Sequence, residues 1–259
     1  MYNGIITINK EAGYTSFDVV AILRGIFGQR KIGHTGTLDP QATGMLPICL
    51  GTATKLCDML TDKDKEYVAE LLLGVTTDTQ DTTGRVLEDQ SQKVGLLGPG
   101  KLEGIIMGFV GEYDQIPPMY SALKVDGKRL YDLARKGVEI DRKPRRVAIK
   151  EIEILSMELP LVRLRVVCSK GTYIRSLIDD IGRKLGCGAV MTALVRTRAM
   201  GFTLDDCVTL SELQELRDSG AGFDSVLTGV DALLAGYQAI TVTDAQRVRF
   251  QNGGALATD

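Results

Sequence analysis

Apolar residues recur along this chain in two periods, and the changes from one to the other mark out its elements. Val19, Val20, Ile22, Leu23, Ile26 and Phe27 keep the three-to-four spacing of one helical face. Thr15 or Ser16 stands where a cap accepts the first free N–H groups, and Gly28 closes the run. Short apolar or alternating runs predict strands over 5–8, 46–50, 66–73, 147–159, 161–168 and 190–195. In Val162-Arg163-Leu164-Arg165-Val166 the period is two, so one face of that strand is polar. Helices are expected over 52–60, 101–110 and 127–136, and again from about residue 172, where Ile174, Leu177, Ile178 and Ile181 share a side. Thr209 and Glu212 form a capping box that opens a short acidic helix.

Between these runs the chain is polar and rich in turn residues. The stretch 74–86 holds Asp78 and Asp81, which lack the wider oxygen-ligand pattern of a calcium loop and read as turn chemistry. Residues 90–100 read as a surface linker, Pro117-Pro118 forces an extended segment, and Lys124 to Gly127 reads as a hairpin or tight turn. From Gln238 one strand and one helix capped at Thr243 are expected, too little to bury a core of their own. A strand-rich middle with few helices implies an α+β protein around a mixed, mostly antiparallel sheet with flanking helices.

The chain has 259 residues, enough for one large domain or one domain and a small appendage. No run approaches the roughly 18 apolar residues of a membrane helix, and the N-terminus has no secretory pattern, so no membrane is expected as partner. Five cysteines, an odd number with no Cys-x-x-Cys, argue against a disulfide framework or zinc ribbon and for a reducing cytoplasm. One histidine makes a histidine-based metal centre improbable. Net charge is −2, but it is unevenly spread. Residues 124–150 carry ten Lys and Arg against four Asp and Glu, and residues 163–198 eight against two. Two such stretches make a phosphate-binding footprint if they converge in space, and solvated faces if they do not.

The candidate chemistry centres on Gly33 to Gly51, GHTGTLDPQATGMLPICLG. It holds the single histidine, His34, and four glycines. Asp39 precedes Pro40, which keeps it out of the helical region and on a loop. Taken alone, an Asp-Pro turn explains this better than a site does. Tyr67 alone reads as a packing residue of a strand, and Arg175, one turn into its helix, as a surface charge paired with Asp179.

The whole string resembles the catalytic motif of the TruB family, the tRNA pseudouridine-55 synthases. Four further segments are similar to the family in the same order: Ile8-Asn9-Lys10; Tyr67 ahead of Gly74 and Thr77-Asp78-Thr79; QIPPMYSALKVDGKRLYDLARKG from Gln115; and CSKGTYIRSLIDDIGRKLG from Cys168. The resemblance implies the pseudouridine synthase fold, with a catalytic domain over 1–236 and the start of a PUA-like RNA-binding module, broken off early, over 237–259. It implies a reaction that detaches uracil from C1′ of a T-loop uridine and rejoins it through C5, with tRNA as partner and no cofactor; the oligomeric state stays open, with a monomer as the default. Asp39 falls on the nucleophile, Arg175 on the cation that keeps it ionised, and Tyr67 on the aromatic platform for the flipped base. His34 falls on the residue that fills the gap the base leaves. Lys10 and Lys55 become site-shell or phosphate contacts, Asp78 orders the loop near the site, and Lys124, Lys128, Arg129 and Leu194 join the substrate-binding residues. Two rivals stand beside this reading: a tRNA-folding protein whose role does not depend on catalysis, and a small-molecule enzyme with an Asp nucleophile, which has no need of two basic stretches.

Overall fold

A computed structural model describes residues 1–57, 59, 64–125, 127–235 and 237–255. Its strands are β1 (Gly4–Lys10), β2 (Ile32–His34), β3 (Thr43–Leu50), β4 (Lys65–Leu73), β5 (Val75–Thr77), β6 (Val86–Asp89), β7 (Gly111–Gln115), β8 (Lys124–Val125), β9 (Lys128–Arg129), β10 (Arg145–Glu158), β11 (Leu161–Cys168), β12 (Ala189–Ala199) and β13 (Phe202–Thr203). The helices are α1 (Ser16–Phe27), α2 (Pro99–Met107), α3 (Leu130–Ala134), α4 (Ile174–Leu185), α5 (Leu210–Ser219), α6 (Val230–Leu234) and α7 (Asp244–Gln251).

One sheet dominates, in the order β1-β3-β12-β4-β11-β10-β7, with β2 added to β3 and β13 to β12. Among the described residues its ladders are antiparallel except where β12 meets β3, through Val195–Thr43 and Arg196–Gly44. This short parallel contact joins the N-terminal strands to the rest of the sheet. The alternation read in the sequence decides the faces: in β4, Tyr67, Ala69, Leu71 and Leu73 are buried while Glu66, Val68, Glu70 and Leu72 stay half-exposed. Helix α1 buries Val19, Val20, Leu23, Ile26 and Phe27 in the core that Ile6, Ile8, Leu46 and Ile48 share. Its Thr15 cap and left-handed Gly28 fall where the sequence puts them, as does the capping box of α5. Helix α4 packs on β12 and on α2. Among the described residues no helix is long and apolar enough to cross a membrane.

Several expectations need correction. The helix expected over 127–136 is only Leu130–Ala134, because Lys128 and Arg129 pair instead with Val125 and Lys124 in a two-stranded ribbon. The 90–100 stretch is more than a linker: it makes a 3₁₀ turn at Ser91–Leu96 that buries Val94, and Pro99 already begins α2. Over the helix expected at 52–60 the chain begins as a 3₁₀ turn at Gly51–Leu56, Cys57 and Met59 are helical, and residues 58 and 60 lie outside the described ones. The C-terminal helix forms, capped by Thr243, but no strand forms over 238–242. Ile240 there is 59% exposed, so no apolar face is buried to hold a ladder in register.

Gly44 shows how tightly the sheet closes at the parallel contact. Its φ is +96°, and a Cβ there would lie 2.4 Å from the Arg196 carbonyl oxygen. Gly44→Ala is therefore expected to lower unfolding free energy by about 1–3 kcal/mol. Urea unfolding checks this, and an unchanged midpoint would show that the contact gives way at no cost.

Candidate active site

The loop between β2 and β3 carries Asp39 and is pinned on both sides of it. In the first turn of α1, Ser16 Oγ accepts from the Leu38 N–H at 2.9 Å and donates to the Leu38 carbonyl at 3.2 Å. On the other side the Pro40 carbonyl accepts from Lys10 Nζ at 3.1 Å and from the Gly13 N–H at 2.9 Å. Leu38 is buried, whereas the Asp39 side chain keeps 37% of its surface open. Two fixed neighbours thus leave one carboxylate partly open to solvent.

Opposite it stands Arg175, in the first turn of α4. Its Nε lies 2.9 Å from Asp39 Oδ2 and its Nη1 lies 3.6 Å from Asp81 Oδ2. Nη1 and Nη2 also donate to the carbonyls of Thr79 and Tyr120, each at 2.9 Å. Only 6% of the Arg175 side chain is exposed. The planar guanidinium thereby aims a charged edge at Asp39 while its other donors are held. Burial pushes the Asp39 carboxyl above its ordinary value; Arg175 opposes this, Asp81 reinforces it, and Lys10 opposes it more weakly.

Behind the ion pair lies a second buried cation. In the β4–β12 ladder Tyr67 is the register partner of Arg196, which is 1% exposed. Arg196 donates from Nε to the Met45 carbonyl at 2.7 Å and from Nη2 to the Gly36 carbonyl at 3.5 Å. Burial pushes the Tyr67 phenol up, and Arg196 draws it partly back. His34 is held below its ordinary value by burial and then by Arg196, so it is neutral at pH 7. Its Nδ1 is buried without a hydrogen-bond partner among the described residues.

Comparison with known proteins then decides the family. A model described as the TruB family pseudouridylate synthase N-terminal domain matches residues 24–174. The chain belongs to the TruB family of pseudouridylate synthases. A model of the tRNA pseudouridylate synthase B C-terminal domain matches residues 175–235. The tRNA pseudouridine synthase B of Alkaliphilus oremlandii is 46% identical over 254 residues, covering 98% of this chain and 83% of that protein. The protein of the same name in Lachnoclostridium phytofermentans is 50% identical over 266 residues, covering 99% and 85%. Among solved structures, a chain of a Cbf5–Nop10–Gar1 complex is 32% identical with a TM-score of 0.70, covering 89% of this chain and 61% of that one. A chain of an H/ACA ribonucleoprotein bound to a substrate RNA containing 2′-deoxyuridine is 29% identical with a TM-score of 0.67, covering 89% and 60%. The TruB reaction converts uridine to pseudouridine, which makes this chain an isomerase and sets the frame for its cleft.

The structure brings together some of the sequence candidates and separates others. Asp39 pairs with Arg175, Lys10 and Tyr67 each feel both Asp39 and Arg196, and His34 feels Arg196, so these sequence candidates come together around two buried arginines. Arg175 does not pair with Asp179, whose carboxylate meets Arg183 at 2.8 Å. Lys10 is fully buried and gives its Nζ to the carbonyls of Glu11, Tyr14 and Pro40, so it supports the loop and offers no phosphate contact. Asp78 is exposed and accepts the Arg85 N–H at 2.8 Å, a turn bond, while Asp81 is the one that reaches Arg175. Leu194 is buried, 8% exposed, in β12. Lys55 is exposed on the turn after β3, and Lys124, Lys128 and Arg129 are exposed on the β8–β9 ribbon.

Two residues of the cleft escaped the sequence reading. Asp81 sits in a Thr-Asp-rich turn whose local bonding hides its long-range contact. Arg196 lies in Val-Arg-Thr-Arg, which reads as an alternating solvated face, and only the register with Tyr67 shows that it points inward.

A carboxyl whose value is raised by folding binds protons more readily folded than unfolded. Stability from this group is present at low pH and falls as pH rises from the unfolded value through the raised one. Asp39→Asn is accordingly expected to melt higher than the parent at pH 7, with the gap closing toward pH 4. Thermal melts at both pH values check this, and a variant that melts lower at pH 7 would show that the ion pair outweighs the desolvation.

Proposed function

We propose that the chain isomerises the T-loop uridine at position 55 of tRNA, with Asp39 as the carboxylate that reacts with the flipped nucleotide. The observation that carries this reading is the Asp39–Arg175 pair, a half-open carboxylate set against a buried guanidinium at 2.9 Å. The names of the similar enzymes from Alkaliphilus and Lachnoclostridium support tRNA as the substrate. Exposed Lys124, Lys128 and Arg129 suit a contact with the phosphate backbone. A catalytic domain over 1–236, a monomer and a cytoplasmic site of action complete the proposal.

The chemistry breaks the bond from C1′ to N1 and makes one from C1′ to C5. N1 ends with a proton, and C5 gives one up. A stacked uridine has first to leave its helix, which costs a few kcal/mol of unstacking. Stacking of the extruded pyrimidine on Tyr67 returns about 1–3 kcal/mol. The ionised Asp39 then acts on the nucleotide, at C1′, at C6 or at the C2′ proton; each needs the carboxylate that Arg175 keeps charged against burial. We assign uptake of the C5 proton to the Tyr67 oxygen, whose pKa burial raises and the neighbouring Arg196 brings partly back. His34 fills by its shape the space the base vacates, which suits a neutral ring.

Tritium release from unmodified tRNA labelled at uridine C5 tests the proposal directly. The parent is expected to release tritium and Asp39→Ala none, with the product mapped to position 55. Tight tRNA binding without release would favour the folding role instead, and equal release by both proteins would remove Asp39 from the reaction. His34→Phe is expected to keep most of the rate, while His34→Ala loses roughly tenfold or more because nothing refills the stack. Equal losses in the two variants would show that His34 acts through its nitrogens.

A further inference from the structure

We propose that Gln80 and Gln115 are a pair of positioning residues that lock the Arg175 guanidinium onto the Asp39 carboxylate. Arg175 is a long side chain, and helix α4 alone fixes only its first bonds. What fixes the guanidinium is a set of acceptors on other segments: the carbonyls of Thr79 and Tyr120. Neither carbonyl belongs to the sheet or to a helix. Each comes from an irregular stretch that a glutamine ties back to α4.

Gln80 directly follows Thr79. Its Oε1 accepts from Ser176 Oγ at 2.9 Å, and its Nε2 donates to Asp179 Oδ2 at 3.0 Å. Ser176 follows Arg175, and Asp179 lies one turn further along the same helix. Gln115 opens the stretch that leads to Tyr120 and is 1% exposed. Its Nε2 donates to the Tyr173 carbonyl at 3.0 Å, and its Oε1 accepts from the Tyr173 N–H at 2.8 Å. Tyr173 is the cap residue of α4. The helix is therefore gripped at 173, 176 and 179, around Arg175, by the two stretches that receive the Arg175 donors.

Only a side-chain amide fits both places. Each glutamine uses a donor and an acceptor on separate atoms at once, which a carboxylate or an aliphatic side chain cannot reproduce. Gln80 also holds a left-handed backbone with φ of +63°, unfavourable for a residue with a Cβ. Such a conformation persists where the surroundings fix it and serve a site. Here the Gln80 carbonyl accepts from the Met191 N–H at 3.2 Å and the Thr82 N–H donates to the Met191 carbonyl at 3.1 Å. Those backbone bonds remain when the side chain is cut back, so Gln80→Ala is expected to keep its fold.

The clamp rests on the reading of Asp39 and Arg175 as the reacting pair, and its test separates the two ideas. Single-turnover rates on C5-tritiated tRNA are measured across pH for the parent, Asp39→Ala, Gln80→Ala, Gln115→Ala, Arg175→Ala and Gln80→Ala in the Arg175→Ala background, with tRNA affinity and melting temperature beside them. Each glutamine variant is expected to lose roughly tenfold to a hundredfold in rate with affinity unchanged, as a small misplacement of a reacting group does. The acidic limb of the rate profile is expected to move to higher pH. Asp39 faces Arg175 from α4, Asp81 from the 78–85 turn, Lys10 from β1 and Tyr67 from β4, and Arg175 is the chief of these in holding it ionised. In the Arg175→Ala background Gln80→Ala should cost nothing further, since the glutamine acts through that arginine. An unmoved acidic limb, or the same loss in both backgrounds, would overturn the clamp. Parent-like glutamine variants beside an inactive Asp39→Ala would sink the clamp alone, and a fully active Asp39→Ala would sink the reading of the site on which it rests.

Discussion

A carboxylate in a desolvated cleft loses its charge unless a cation is fixed against it, and this single requirement organises the molecule. Asp39 is open enough to meet a nucleotide and enclosed enough to be pushed toward protonation. Arg175 answers that push only if it stays in place. The helix that carries it is set on β12, its donors end on carbonyls of two loops, and the loop of Asp39 is bonded on both sides to α1 and to Lys10. Much of the polar bonding inside the protein has this pair as its point of convergence.

The sheet supplies the rest through register. Tyr67 and Arg196 share a row across β4 and β12, and the two residue pairs of the parallel contact set that row beside the Asp39 loop. A slip of one residue in β4 would turn Tyr67 to the half-exposed face and Glu66 to the core. The alternation that buries Tyr67, Ala69, Leu71 and Leu73 therefore does more than fill a core. It fixes which side chain stands in the cleft.

Much of this was legible in the residues, wherever a local pattern has one physical meaning. The caps of α1 and α5, the alternation of β4 and the paired β10 and β11 all belong to that kind. Resemblance to a family motif added Asp39, Tyr67 and Arg175, which spacing alone left as a turn, a packing residue and a surface charge. What stayed hidden depends on partners far along the chain. Asp81 looks like turn chemistry because it also makes turn bonds, and Lys10 looks like a phosphate contact because nothing local shows that three carbonyls enclose it. Over 127–136 the helical pattern lost to ribbon pairing at Lys128 and Arg129, a choice that propensity does not decide. At 238–242 a strand-like run found no edge to join.

The parallel contact between β3 and β12 has a kinetic meaning. It brings residues 43–44 against 195–196, a separation of most of the chain, and it is only two residue pairs long. Contacts of such range pay their loop-closure entropy before they return any stability, and they form late. The loop between β2 and β3 carries Asp39, whereas β4 and β12 carry Tyr67 and Arg196 and helix α4 carries Arg175. A partly folded chain can thus hold either half of the chemistry without the other. Asp39 and the groups that face it therefore stand together only where the sheet is closed across β3 and β12.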